Sequence, residues 1–159
     1  RQTNISLFFE ILQKYTCDSD TFYHISRMPY ITSKILKVLT ESFGYSFTAN
    51  EVKTISMISL LHDIGKAFTK GYKDSKGNPC DHAHYYQHHL VSAYDAAKYL
   101  RFVEENDRLE ILALIQWHMF PYFWEKDNNT KMQNKYKKIW GDELYDKIML
   151  LHKADKEAH

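Results

Sequence analysis

Apolar residues recur with a helical period through most of the chain. Segment 5–15 places them at the i, i+3, i+4 and i+7 positions, at Ile5, Phe8, Phe9 and Leu12. Segment 30–42 has a similar pattern, at Ile31, Ile35, Leu36 and Leu39. Each segment therefore predicts an amphipathic helix with one buried face.

A capping signal marks the start of the next helix. Thr48-Ala-Asn-Glu51 has the form of a capping box, in which the threonine and glutamate side chains bind free backbone N–H groups of the first turn. The apolar run that follows reaches Leu61, and we expect the helix to end near Ile64. Gly65 then suits the left-handed conformation that often follows a helix.

Beyond this point the periodicity is interrupted and then resumes. Residues 66–85 contain lysines, glycines and a proline, and they predict a long loop of the kind that is often functional. Helical patterns return at 87–103, 107–119, 131–139 and 141–157. The stretch 122–131 after Pro121 is polar and predicts another loop. With six or seven helices and no convincing strand, the chain predicts an all-α fold, a compact single-domain helical bundle.

Length and charge narrow the class of protein. A chain of 159 residues suits one domain, 1–159, although it begins at Arg1 and ends within a helical pattern, so a fragment of a longer protein with an additional domain stays an open alternative. The formal net charge of +1 is too small to indicate long-range attraction to nucleic acid or to a membrane. The apolar runs are too short for a membrane span, and we expect no membrane partner.

Cysteine and histidine usage adds two expectations. Cys17 and Cys80 lie far apart and form no CxxC pair, which favours reduced thiols and a cytoplasmic location. Five of the nine histidines fall between residues 82 and 118. This clustering favours a functional site that contains histidine side chains.

His62 and Asp63 stand side by side at the end of an apolar helix. They form either a charged helix terminus or part of a metal site, and a metal site needs more ligands from elsewhere in the chain. The candidates lie at or near predicted helix ends, at His88 or His89, His118 and Asp155. Imidazole with carboxylate suits Mn²⁺, Fe²⁺, Co²⁺, Ni²⁺ or Zn²⁺, with Mg²⁺ as a further candidate, and such an ion activates water for hydrolysis.

Four motifs in this order resemble the HD-domain superfamily of metal-dependent phosphohydrolases. They are LLHDIGK at 60–66, HHLVSAYDAAKYL at 88–100, LIQWHMFP at 114–121 and LLHKADKEAH at 150–159. The similarity covers residues 30–159 and is nearest to the HD domains of tRNA nucleotidyltransferase-like and polynucleotide-end-processing proteins. It implies hydrolysis of a phosphate ester on a nucleotide or a nucleic-acid end.

The resemblance also implies a role for each matching residue. The metal ligands would be His62, Asp63, His88, His118 and Asp155. Asp63 would in addition act as a base towards water, and Lys66 would face the substrate phosphate and offset its charge. A run of aromatic residues after the third motif either stacks on a base or packs in the core, at Trp117, Phe120, Tyr122, Phe123 and Trp124.

One departure from the family pattern leaves alternatives open. The family has a further histidine in the helix before the HD motif, where this sequence has Lys34, and His24 lies ten residues upstream, too far for that alignment. Loss of this histidine would weaken the metal site, leave the site to rely on His88 and His118, or mark a specialised or inactive member of the family. Alternatively, Lys34 would contact a substrate phosphate. A non-catalytic module that binds RNA or a partner domain, and an HD-type di-iron oxygenase, are the two rival functions.

Overall fold

The computed structural model describes residues 19–158 apart from Tyr45 and Phe102. The helix predicted at 5–15 and the residue Cys17 lie outside the described residues.

The architecture is all-α, as predicted, with one small hairpin. The helices are α1 (Ser19–Phe43), α2 (Ala49–Leu61), α3 (Lys66–Thr69), α4 (His88–Ala96), α5 (Glu105–Trp117), α6 (Phe120–Lys126), α7 (Thr130–Trp140) and α8 (Asp142–Ala158). A 3₁₀ turn, Ala97–Tyr99, continues α4. Strands β1 (Gly71–Lys73) and β2 (Pro79–His84) pair antiparallel, with Gly71 opposite His84 and an irregular register between Gly71 and Lys73.

Local sequence signals explain some helix boundaries and mislead at others. The capping box is confirmed, because the Glu51 N–H donates to Thr48 Oγ1 at 3.1 Å and the Thr48 N–H donates to Glu51 Oε1 at 3.2 Å. The loop expected at 66–85 is wrong, since α3 and the hairpin occupy most of it. The loop expected at 122–131 is also wrong in its first half, where Pro121 lies in the first turn of α6, a position that needs no backbone donor.

Helix α1 extends eleven residues upstream of the predicted start at residue 30, and it runs through Pro29. A proline removes one backbone hydrogen bond, but its φ angle is compatible with a helix, so packing can hold the helix together across it. The buried stripe of α1 is continuous on both sides of the proline, at His24, Ile25, Met28, Ile31, Thr32, Ile35 and Leu36. One apolar face therefore carries a histidine into the interior.

The core lies where α1, α2, α5 and α8 pack against one another. Its fully buried residues include Ile58, Leu61, Leu114, Ile115 and Ile148. A buried hydrogen bond of 2.7 Å between the hydroxyls of Thr32 and Ser59 joins α1 to α2. Among the described helices, none has the length and apolar character to cross a bilayer.

Candidate metal centre

Five helices bring ionisable side chains to one buried point. His24 lies near the start of α1, His62 and Asp63 directly follow α2, His88 begins α4, His118 follows α5, and Asp155 lies in the last turn of α8. All six side chains are buried, and Asp63 is only 2% exposed. Buried ionisable groups need partners, and these six are partners of one another.

The first half of the cluster surrounds one oxygen of each carboxylate. His24 Nε2 lies 2.6 Å from Asp63 Oδ2 and 2.8 Å from Asp155 Oδ1. His62 Nε2 lies 3.3 Å from Asp63 Oδ2 and 3.2 Å from Asp155 Oδ1. The four residues therefore present two imidazole nitrogens and two carboxylate oxygens to a common space, close enough to hold one metal ion.

The second half of the cluster uses the other oxygen of the same aspartate. Asp63 Oδ1 lies 3.1 Å from His88 Nε2 and 3.6 Å from His118 Nε2. The two imidazole nitrogens are 3.2 Å apart. Asp63 thus stands between two groups of potential ligands, His24, His62 and Asp155 on one side and His88 and His118 on the other.

Three of the histidines are oriented by the same kind of hydrogen bond to the backbone. The Nδ1–H groups of His62, His88 and His118 donate to the carbonyl oxygens three residues earlier, of Ser59 at 2.9 Å, Tyr85 at 3.0 Å and Ile115 at 2.6 Å. A carbonyl oxygen only accepts, so the proton must be on Nδ1. Each Nε2 is therefore turned towards the cluster, as in metal-ligating histidines whose second nitrogen is held by the protein.

The turn formed by residues 62–65, the HD turn, comes close to α4 because residue 65 is glycine. A Cβ atom at Gly65 would lie 2.5 Å from the backbone nitrogen of Ser92 and 2.6 Å from the carbonyl oxygen of His88. The Gly65 N–H also donates to Ser92 Oγ at 2.9 Å. The expectation of a left-handed Gly65 is wrong, since its φ is −66°; close backbone approach is what requires a glycine here.

The charges of the cluster compensate one another. Burial opposes ionisation of Asp63, but the neighbouring His62 and Lys66 hold its pKa well below the usual range. Burial also works against a charged His62, yet Asp63 and Asp155 raise its pKa to about 10. Two ionised carboxylates thus attract positive charge into the interior, and in this form a proton on His62 supplies part of it.

The donor set fits a divalent metal ion. Histidine nitrogen with carboxylate oxygen is a combination that transition metals accept, and the backbone bonds already orient the imidazoles. Binding of a cation between the carboxylates would release the proton from His62, because a ligating nitrogen must be free of its proton. The cluster can therefore hold a metal on its existing side chains.

An open cavity of about 680 Å³ lies against this cluster. Its lining includes His88 and Lys66 together with three aromatic side chains, those of Tyr85, Tyr86 and Phe123. Lys66 Nζ is 3.3 Å from Asp63 Oδ2 and 5.4 Å from the centre of the Tyr85 ring. A positive charge thus lies where the cavity meets the cluster.

Two further polar residues lie near the cluster: Tyr122, to which the sequence assigned no role at the metal site, and His89, the alternative to His88. Tyr122 OH donates to Asp155 Oδ2 at 2.8 Å, so this residue orients a ligand instead of stacking on a base. His89 is buried against the rings of Phe120 and Phe123. Burial, followed by the adjacent His118 and His88, lowers the pKa of His89 to about 4. Of the two neighbouring histidines, His88 is therefore the one that meets Asp63.

The other aromatic residues of that segment divide between core and cavity. Trp117, Phe120 and Trp124 all contact the ring of Trp140 within 6.0 Å between centroids. Phe123 is 40% exposed and lies at the cavity. Of the five aromatics, Phe123 is therefore the one placed to meet a ligand.

The structure corrects the expectation for Lys34 and His24. Lys34 is exposed on α1, and ten residues of helix place it about 15 Å along the axis from His24. His24 itself meets Asp63 and Asp155, in the position where a further histidine was thought to be missing. The sequence signal that could have located it is the helical stripe of α1 continued upstream across Pro29.

The sequence was compared with known protein families and structures. The family model of the HD domain matches residues 21–158 of this chain. The chain therefore belongs to the HD domain family, within the superfamily of metal-dependent phosphohydrolases. The match starts ahead of His24, farther upstream than the motif similarity that begins at residue 30. Neither the search of curated proteins nor the search of solved structures gave a match.

Proposed function

We propose that this HD domain is a metal-dependent phosphohydrolase, a phosphomonoesterase or phosphodiesterase, that acts on a nucleotide or nucleic-acid-end phosphate. The observation that carries the proposal is the convergence of His24, His62 and Asp155 on one oxygen of Asp63, with His88 and His118 on the other. Burial of six ionisable side chains at one point costs free energy, and a cation bound between the two carboxylates would offset part of that cost.

His24, His62, Asp63 and Asp155 would hold one divalent cation, and Asp63, His88 and His118 offer the ligands for another. When bound, such an ion lowers the pKa of water and polarises a phosphoryl oxygen. Mn²⁺, Fe²⁺, Co²⁺, Ni²⁺ and Zn²⁺ all suit these donors, and Mg²⁺ is a further candidate.

The chain's own residues supply the remaining parts. Lys66 places its ammonium group between the cluster and the cavity, where it would offset the negative charge on a phosphoryl group. Asp63 stays ionised, because His62 and Lys66 lower its pKa against the effect of burial, and so its carboxylate can accept a hydrogen bond from the attacking water and orient it.

The cavity supports a nucleotide or a nucleic-acid end as the substrate class. A volume of about 680 Å³ can accommodate a nucleoside phosphate, with its phosphate towards Lys66 and His88. Tyr85, Tyr86 and Phe123 line the same cavity and offer ring faces to a base. Stacking of this kind is tolerant of base identity.

The experiment is a screen of nucleotides, cyclic nucleotides and RNA ends that carry 3′-phosphate or 2′,3′-cyclic phosphate, with several divalent metals. Asp63→Asn should reduce phosphate release at least about 1000-fold, since it removes the carboxylate that both groups of ligands share and that would orient the water. Lys34→Met is the matched control and should keep wild-type activity. Wild-type rates in Asp63→Asn would refute the proposal.

Of the two rival functions, the geometry weighs against the non-catalytic module, whereas the two groups of ligands that share Asp63 would also suit a di-iron oxygenase. The non-catalytic module rested partly on a missing histidine, and His24 removes that part of its support. It predicts neither tight metal nor hydrolysis. A di-iron oxygenase predicts iron stoichiometry near two and turnover that depends on dioxygen, so the same assay in anaerobic buffer separates it from a hydrolase.

A further inference from the structure

A second group of metal-ligand side chains lies on the hairpin, apart from the buried centre. Cys80, His82 and His84 alternate along β2, so all three side chains leave the same face of the strand. Their ligand atoms lie within 4.8 Å of one another. The sequence Cys-x-His-x-His in an extended strand is therefore a compact set of one thiol and two imidazoles.

One distance within this hairpin cluster already equals that between two ligands of a tetrahedral ion. Zinc bonds to nitrogen and sulfur imply ligand-to-ligand separations of about 3.4–3.7 Å. Cys80 Sγ and His84 Nε2 are 3.4 Å apart. The rings of His82 and His84 lie 4.6 Å apart, close enough for small side-chain rotations to bring the third ligand in.

Two neighbours orient the imidazoles. His82 Nδ1 lies 3.0 Å from Asp81 Oδ1, which leaves its Nε2 for a ligand, as in carboxylate–histidine–zinc arrangements. The ring of His84 stacks on that of Tyr86 at 5.0 Å with an interplanar angle of 7°. Each histidine thus has a contact outside the set of ligands, with His82 and Asp81 paired on the exposed side of the strand.

We infer that Cys80, His82 and His84 form a zinc site whose fourth position is open to water. A soft thiolate combined with imidazoles selects zinc over magnesium or manganese, unlike the oxygen-containing buried centre. On binding, the Cys80 thiol loses its proton to solvent and the sulfur becomes a thiolate ligand. No oxidation or reduction takes part.

The site has a structural consequence for the cavity beside the buried centre. His84 and Tyr86 line that cavity, together with Asp74 and Ser75 of the hairpin turn. Zinc on β2 would fix the side of the cavity that the hairpin forms. Amides of residues 71–84 should therefore exchange with deuterium at least about 10-fold more slowly when zinc is added, because ligation removes local opening.

Cobalt titration of the whole chain tests the site. The buried centre contains no sulfur ligand, so a thiolate-to-cobalt charge-transfer band reports the hairpin alone, whatever the fate of the proposed hydrolase. The band should appear in the wild type and in Asp63→Asn and vanish in Cys80→Ser. Cys17→Ser, the matched control, removes the other cysteine of the sequence and should keep the band.

The zinc affinity of variants at exposed hairpin residues provides a second test. Displacement of cobalt by zinc, followed by loss of the cobalt band, measures the zinc affinity of the hairpin site. His82→Ala should weaken this affinity more than about 100-fold, and Asp81→Ala should weaken it about 10- to 100-fold, as expected for an orienting partner. Lys76→Ala, in the hairpin turn, should leave it unchanged. Absence of the band in the wild type, or its persistence in Cys80→Ser, would overturn the inference.

Discussion

Gly65→Ala is the most local perturbation of the metal centre, because it changes a single atom between the HD turn and α4. The added Cβ would meet the Ser92 nitrogen at 2.5 Å and the His88 carbonyl oxygen at 2.6 Å. Both contacts are with backbone atoms, so no side-chain rotation relieves them. Asp63 lies two residues before this point and His88 carries the opposing carbonyl, so the two ligands should move apart.

The size of the effect follows from those distances. Ordinary contacts of a Cβ atom begin near 3.4 Å, so the turn and α4 must separate by about 0.8–0.9 Å, and overpacking of this kind costs about 1–3 kcal/mol or more. The hydrogen bond from Gly65 to Ser92 weakens with the same movement. We expect a loss of about 2–4 kcal/mol in the free energy of unfolding.

Urea unfolding with and without metal measures this effect. Gly71→Ala is the matched control, because nothing lies within 4 Å of the point that a Cβ atom would occupy there, and it should stay within about 0.5 kcal/mol of the wild type. Metal affinity should fall in Gly65→Ala and not in Gly71→Ala. Equal stability and equal metal affinity of the two variants would refute the assignment of Gly65 to close backbone approach.

Three further predictions concern single side chains. Tyr122→Phe removes the hydrogen bond to Asp155 and should weaken metal binding about 10- to 100-fold by calorimetry, with unfolding little changed. The pKa of His89 is about 4 in the folded chain and 6.5 in the unfolded chain, so between these pH values only the unfolded chain gains a proton at this residue. Acidification from pH 7 to pH 5 should therefore lower the free energy of unfolding by about 1–2 kcal/mol more in the wild type than in His89→Gln, as measured by urea unfolding. Lys66→Met should lower kcat/KM about 100-fold, whereas Lys34→Met should not change it.

The amino-acid sequence is sufficient for the overall class and for most of the centre. The four motifs are local, and each begins or ends a helix with a strong apolar period, so the family resemblance that they carry was enough to name His62, Asp63, His88, His118 and Asp155 as candidates. Their convergence at one point is a tertiary property. It depends on how five helices pack, and no local pattern contains it.

His24 was missed for a physical reason. The helix predicted from residue 30 starts directly after Pro29, a residue type that normally marks a helix boundary. Packing of α1 against α2 and α8 holds the helix across the proline, and the stripe that buries Ile25 and Met28 buries His24 with them. Tertiary contacts overrode a local signal.

The hairpin was missed for another reason. Its strands are short, at three and six residues, and contain none of the valines or isoleucines that favour β structure. The turn that closes it is instead set by Asp74, whose Oδ1 accepts the N–H groups of Lys76 and Asn78, both at 2.9 Å. Turn chemistry, rather than strand propensity, specifies this element.

The most direct test of the metal centre is an anomalous difference map from crystals soaked in Mn²⁺. We predict a peak in the buried cluster, at coordinating distance from His24, His62, Asp63 and Asp155. The peak should disappear in Asp63→Asn crystals of the same form. A map with manganese only at the hairpin or on the surface, and none between these four side chains, would contradict the assignment of a metal centre.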